Sequence, residues 1–137
     1  MNKPDVDLKA AARAVARHAY VPYSQFPVGA ALRTHSGELF SGCNVENRSY
    51  PLGMCGERNA INTAVATGVR PGEITELLVF MPGDNLFSPC GGCRQVIAEF
   101  MPADGVIWAT HDGEAFKRWT VAELLPDGFS FQGLGDQ

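Results

Sequence analysis

Three cysteines constrain this chain more than any other feature: Cys55 in Cys55-Gly56-Glu57, and Cys90 and Cys93 in Pro89-Cys90-Gly91-Gly92-Cys93. Three thiols and a carboxylate in that order suit a zinc ion held by protein on three sides. The fourth position is then left to water, whereas a closed structural site takes four protein ligands. Cys90 and Cys93 stand three apart, so a helix carries both sulfurs on one face. Ser88-Pro89 is a helix start, a capping hydroxyl followed by proline at the first helical position. Residues 55–67 are alanine-rich and end at Gly68, which reads as a second helix with Cys55 at its beginning. Both motifs therefore sit at helix N-termini, whose partial positive charge favours the thiolate a metal requires.

Three thiolates around Zn2+ leave about one unit of negative charge. That excess opposes the drop in the pKa of bound water, from about 15.7 towards about 7 in favourable sites. Arg58, next along the chain, and the helix ends are expected to offset it through charge-assisted contacts to the sulfurs. Glu57 follows Cys55 by two residues, and on a regular helix such neighbours point apart. The two converge only if Cys55 is the cap and Glu57 lies in the first turn, where a carboxylate can shuttle protons.

Other readings of the same residues stay open. A lone Cys-x-x-Cys is often a redox pair or half of a structural zinc ribbon. Cys43 is the only further sulfur able to close a four-thiolate cage, although on a strand it reads as a small buried hydrophobe. The histidines fit no ligand pattern: His35 and His111 fall in turns, and His18 ends a helix where a cation suits the dipole.

With 137 residues, 45% hydrophobic and 19% charged, the chain is expected to form one domain over residues 1–137 with a core of its own. A net charge of −4 and a pI near 5.3 argue against nucleic acid as a partner. No apolar stretch approaches the roughly 20 residues of a membrane helix. The polar, acidic start does not read as a signal peptide. Cysteines in metal-binding spacing without an export signal point to a reducing compartment, the cytoplasm.

Residues 7–20 place Leu8, Ala11, Ala12, Val15 and Ala19 at helical spacing. Residues 26–33 and 38–43 read as a β-hairpin, 74–80 as a central strand. Residues 90–100 give a helix, 106–109 and 115–119 two further strands, and 120–125 a short helix. Trp108 and Trp119 are expected in the core, with Met54, Met81 and Met101 as packing residues. The order α-β-β-α-β-α-β-β predicts a three-layer α/β/α sandwich on a five-stranded mixed sheet, its last two strands antiparallel.

Five segments in order, Phe26-Pro27-Val28-Gly29-Ala30-Ala31, Cys43-Asn44-Val45-Glu46-Asn47, Cys55-Gly56-Glu57-Arg58, Ser88-Pro89-Cys90-Gly91-Gly92-Cys93-Arg94-Gln95 and Glu123-Leu124-Leu125-Pro126, resemble the short, homotetrameric cytidine deaminases. The likeness covers about residues 7–131, and a zinc site of three His/Cys ligands with a non-ligand Glu is the described pattern of zinc deaminases. It implies hydrolysis of cytidine and deoxycytidine to uridine and deoxyuridine with release of ammonia, as in pyrimidine salvage. In that reading Cys55, Cys90 and Cys93 hold one Zn2+ per subunit and Glu57 is the proton shuttle for zinc-bound hydroxide attacking C4. Asn44 and Glu46 bind the ribose 3′-hydroxyl, Phe26 packs on the pyrimidine, and the Gly56 amide meets the base. Tyr50 and Phe129 correspond to residues that neighbouring subunits contribute.

Gly56 departs from the alanine usual in this motif, which leaves backbone freedom at a helix start and slightly more room by the base. Rival readings are a deaminase of a nucleoside-like antibiotic such as blasticidin S, and a non-catalytic zinc-binding protein on the same scaffold. Deaminases of nucleotides and nucleic acids typically begin the motif with His where Cys55 stands. The charge argument is directly testable: Arg58→Gln is expected to lower zinc content and activity together, and a variant that keeps both, by metal analysis and turnover, removes the role of Arg58.

Overall fold

A computed structural model describes residues 1–129, and the N-terminal apolar periodicity becomes helix α1, Val6–Ala16. Asp5 caps it, its Oδ1 accepting the Leu8 N–H at 2.9 Å. The helix stops short of residue 20. Tyr20 is drawn instead into a bridge with Val45, giving its N–H to Asn44 O at 3.0 Å and accepting the Glu46 N–H at 2.8 Å. His18 therefore lies in the turn beyond the helix.

Strands β1 (Gly29–Thr34) and β2 (Leu39–Cys43) form the expected hairpin. Its turn uses Gly37 at φ +92°, a conformation that costs glycine nothing. β1 begins three residues later than the sequence suggests, because the Asn44 side chain takes over there. Its Oδ1 accepts the Val28 N–H and its Nδ2 donates to Phe26 O, both at 2.9 Å.

There follow α2 (Gly56–Ala66), β3 (Ile74–Phe80), α3 (Gly91–Phe100), β4 (Val106–Thr110), β5 (Phe116–Thr120) and α4 (Val121–Leu124). Thr120 and Glu123 cap α4 reciprocally. The sheet runs β2-β1-β3-β4-β5. Only β3 and β4 are parallel, joined through α3, so the sheet is mixed as expected. Residues 130–131, the end of the stretch that resembles the deaminases, lie outside the described residues.

Alternation along the strands divides the core. Ala31, Leu78 and Trp108 pack under Leu8, Ala12 and Ala16 of α1. Ala30, Leu77 and Ile107 face Ala60, Ile61, Ile97 and Leu124 from the other helices. The result is three layers. Trp108 is fully buried, its Nε1–H donating to Glu76 Oε2 at 2.7 Å. Trp119 is only half-buried, since β5 is an edge strand. Met81 and Met101 are in the core and Met54 is half-buried. Among the described residues no helix is long and apolar enough to cross a membrane.

Two glycines set how closely the helices approach. A Cβ on Gly29 would overlap the Ala12 carbonyl of α1, and one on Gly42 would overlap the Ala60 amide of α2. Both contacts are backbone against backbone. The Gly42 contact fixes α2 against β2, and with it Cys55 and Glu57. Gly42→Ala is expected to destabilise the fold by about 1–3 kcal/mol through overpacking and to lower zinc content, as read by urea denaturation and metal analysis.

Candidate active site

Gly29 pairs with both Cys43 and Phe80, so the start of β1, the end of β2 and the end of β3 lie along one margin of the sheet. Helices α2 and α3 begin there, beyond the carboxyl end of β3, the usual place for a ligand in an open α/β sheet. Cys55 caps α2 in an extended conformation, with φ −72° and ψ 154°, and Glu57 lies in the first turn. Cys90 caps α3, and its Sγ accepts the Cys93 N–H at 3.5 Å.

The three sulfurs lie within 4.8 Å of one another, and Cys55 Sγ is 3.9 Å from Cys90 Sγ. Ligands about 2.3 Å from a tetrahedral zinc stand about 3.8 Å apart, so this donor set fits the ion. Cys43 is outside the cluster, and among the described residues no fourth ligand joins it. A four-thiolate cage is thereby excluded for these residues. Arg58 Nη2 donates to Cys55 Sγ at 3.4 Å. The Cys93 thiol, hydrogen-bonded to Cys55, and the Arg58 guanidinium hold Cys55 down to about 5. That same hydrogen bond, then burial, pushes Cys93 up, because the pair shares one proton. Burial pushes the Glu57 carboxyl up to about 6.

A cavity of about 170 Å³ opens over this cluster. Six sequence-predicted residues line it: Phe26, Asn44, Cys55, Gly56, Glu57 and Cys90. Glu57 is buried, only 6% exposed. Five further residues line it: Val28 and Ser88, which belong to the motif segments but not to the predicted site, and Val79, Met81 and Phe87, which no motif marks. Val79 and Met81 read as core, and Phe87 and Ser88 belong to a loop whose path is set by tertiary contacts. Phe87 meets Phe26 edge to face with centroids 6.2 Å apart.

Not every predicted residue gathers here. Glu46 and Tyr50 line a second cavity of about 390 Å³ with Tyr23 and Ser24. Glu46 Oε1 accepts the Tyr23 and Ser24 N–H groups at 3.0 and 3.1 Å, and the Ser24 hydrogen bonds hold its carboxyl below the usual range. Phe129 lies elsewhere, beside Leu125 and Met101.

A family model described as the cytidine and deoxycytidylate deaminase zinc-binding region matches residues 2–110. The chain belongs to this deaminase family. The cytidine deaminase of Sporosarcina psychrophila is 46% identical over 116 residues, 85% of this chain and 84% of that one. The crystal structure of a cytidine deaminase from Burkholderia pseudomallei superposes with a TM-score of 0.86 at 43% identity, covering 90% of this chain and 97% of that one. That from Mycobacterium tuberculosis gives 0.76 at 35% identity, covering 93% and 100%.

Within this deaminase the departure at Gly56 has a local reading. A Cβ there would face Val28 O at 3.3 Å, Gly42 O at 3.4 Å and Asn44 N at 3.5 Å. The missing methyl thus relieves contacts with the strand backbone. Asn44 is structurally committed by its two bonds to the 26–28 segment. Asn44→Ala is expected to leave a partly buried donor and acceptor unpaired and to cost about 1–3 kcal/mol, measured by urea denaturation.

Proposed function

We propose that the protein catalyses the hydrolytic deamination of cytidine and deoxycytidine to uridine and deoxyuridine, in cytoplasmic pyrimidine salvage. The observation that carries this reading is one cavity onto which a buried carboxylate, Glu57, and two sulfurs of a three-sulfur cluster all open. Cys55, Cys90 and Cys93 would hold the Zn2+ that membership of a zinc-binding deaminase family entails. When bound, zinc supplies Lewis-acid activation of water.

Glu57 handles the protons. Water adds its oxygen at C4 of the base, and Glu57 takes the released proton and delivers it to the ring nitrogen. It then takes the proton of the new C4 hydroxyl and passes it to the exocyclic nitrogen as the C4–N bond breaks, so water and cytidine become uridine and ammonia. Its burial beside Cys55 and Gly56 limits its contact with bulk water. Arg58, donating to Cys55 Sγ, offsets thiolate charge.

Phe26 packs against the pyrimidine, and the Gly56 N–H, at a helix start where amides lack intrahelical acceptors, faces the base. Asn44 has donor capacity beyond its bond to Phe26 O, and Glu46 has a second oxygen beyond the one that holds Tyr23 and Ser24. Both are assigned to the ribose hydroxyls. Tyr50 is 75% and Phe129 65% exposed, which suits side chains that complete the sites of neighbouring copies in a homotetramer.

The test is turnover. Zinc-loaded protein incubated with cytidine is expected to yield uridine and ammonia, and Glu57→Gln to retain zinc and nucleoside binding while kcat falls by about 10²–10⁴ or more. Zinc retention without turnover by the unaltered protein would leave only a binding protein on this scaffold.

A further inference from the structure

We propose that Arg94 is a positioning residue whose guanidinium bolts the segment entering Cys90 to the C-terminal end of α4, and so fixes one sulfur of the cluster. The inference rests on Cys90 being a zinc ligand.

Residues 81–90 connect β3 to α3 without helix or strand, yet Ser88 and Cys90 both line the cavity. Something other than a backbone ladder has to hold them. Arg94 Nη2 donates to Ser88 Oγ at 2.6 Å, Nε to Pro89 O at 2.8 Å and Nη1 to Leu124 O at 2.9 Å. Its backbone N–H donates to Cys90 O at 2.9 Å. Leu124 ends α4, where carbonyls lack intrahelical donors and a cation is favoured. Pro89 has no N–H of its own, and the Phe87 N–H donates to Met81 Sδ at 3.3 Å, a weak acceptor.

One planar group thus joins three pieces of chain: the loop that carries a ligand, the helix that carries the next ligand, and α4. Lysine keeps the charge but not the fork, so it cannot hold the three acceptors together. Loss of a residue that orients a metal ligand typically lowers metal affinity by about 10–100-fold.

The experiment measures zinc retention against a chelating indicator, together with the absorption spectrum of the Co2+-substituted protein, for Arg94→Lys, Ser88→Ala and the double variant. Arg94→Lys is expected to weaken retention by about 10–100-fold and to alter the cobalt–thiolate bands, which a loss of stability alone would not move. Ser88→Ala should show a smaller loss, and the double variant less than the sum, because the two share a bond. Wild-type retention and an unchanged cobalt spectrum in folded Arg94→Lys overturn the proposal. If that variant does not fold, unchanged retention and an unchanged spectrum in Ser88→Ala overturn it equally. Neither readout involves cytidine, so failure of the deaminase reading would appear separately, in the turnover assay.

Discussion

The contact on which the site depends is the one between Gly42 and the first turns of α2. With no side chain at that point of β2, the helix lies against the strand backbone at Ala60. The start of α2 then falls where β2 ends and β1 begins. Cys55 and Glu57 are consecutive features of that helix start, so their placement follows from the packing of a rigid element. Interiors packed this densely transmit small displacements, and a methyl group at Gly42 would act on the sulfur and the carboxylate together.

The second constraint is electrostatic. Sulfurs that must carry negative charge are met by donors the chain itself supplies. The Cys93 amide points at Cys90 Sγ, and Arg58 reaches Cys55 Sγ. Two of the three cysteines are helix caps, where backbone N–H groups are unpaired and the dipole is positive. Short motifs at two helix starts are therefore an economical way to build this cluster, because the helices that position the ligands also stabilise their charge.

This explains what was legible in the sequence. Cysteine spacing and strand alternation are local, and each survived into the structure as a helix start or a sheet face; the Ser88-Pro89 cap did not, since Cys90 caps α3 and Ser88 Oγ accepts from Arg94 instead. The early end of α1 and the late start of β1 were not legible, because both are decided by residues 44–46 reaching back to pair with Tyr20, Phe26 and Val28. Phe87 went unmarked, and Ser88 read as a helix cap, for a similar reason: their loop is placed by an arginine on the following helix. Glu46 shows the reverse difficulty. Its motif is plain, but spacing alone does not reveal that one oxygen is spent on the amides of Tyr23 and Ser24.

The margin of the site is thus held by polar side chains, where the rest of the fold is held by apolar packing. Asn44 ties down the segment bearing Phe26, Glu46 the residues just before it, and Arg94 the loop before Cys90. A cavity that admits a polar ligand cannot close its rim with aliphatic groups without losing the ligand. Loops also carry backbone donors and acceptors that need partners when water is displaced. An amide, a carboxylate and a guanidinium satisfy several such groups each. Such arrangements are unforgiving, since removing one side chain leaves two or three partners unpaired at once. The geometry of the rim should accordingly be more sensitive to isosteric polar changes than to conservative changes in the core, where volume-conserving swaps usually cost less than about 1.5 kcal/mol.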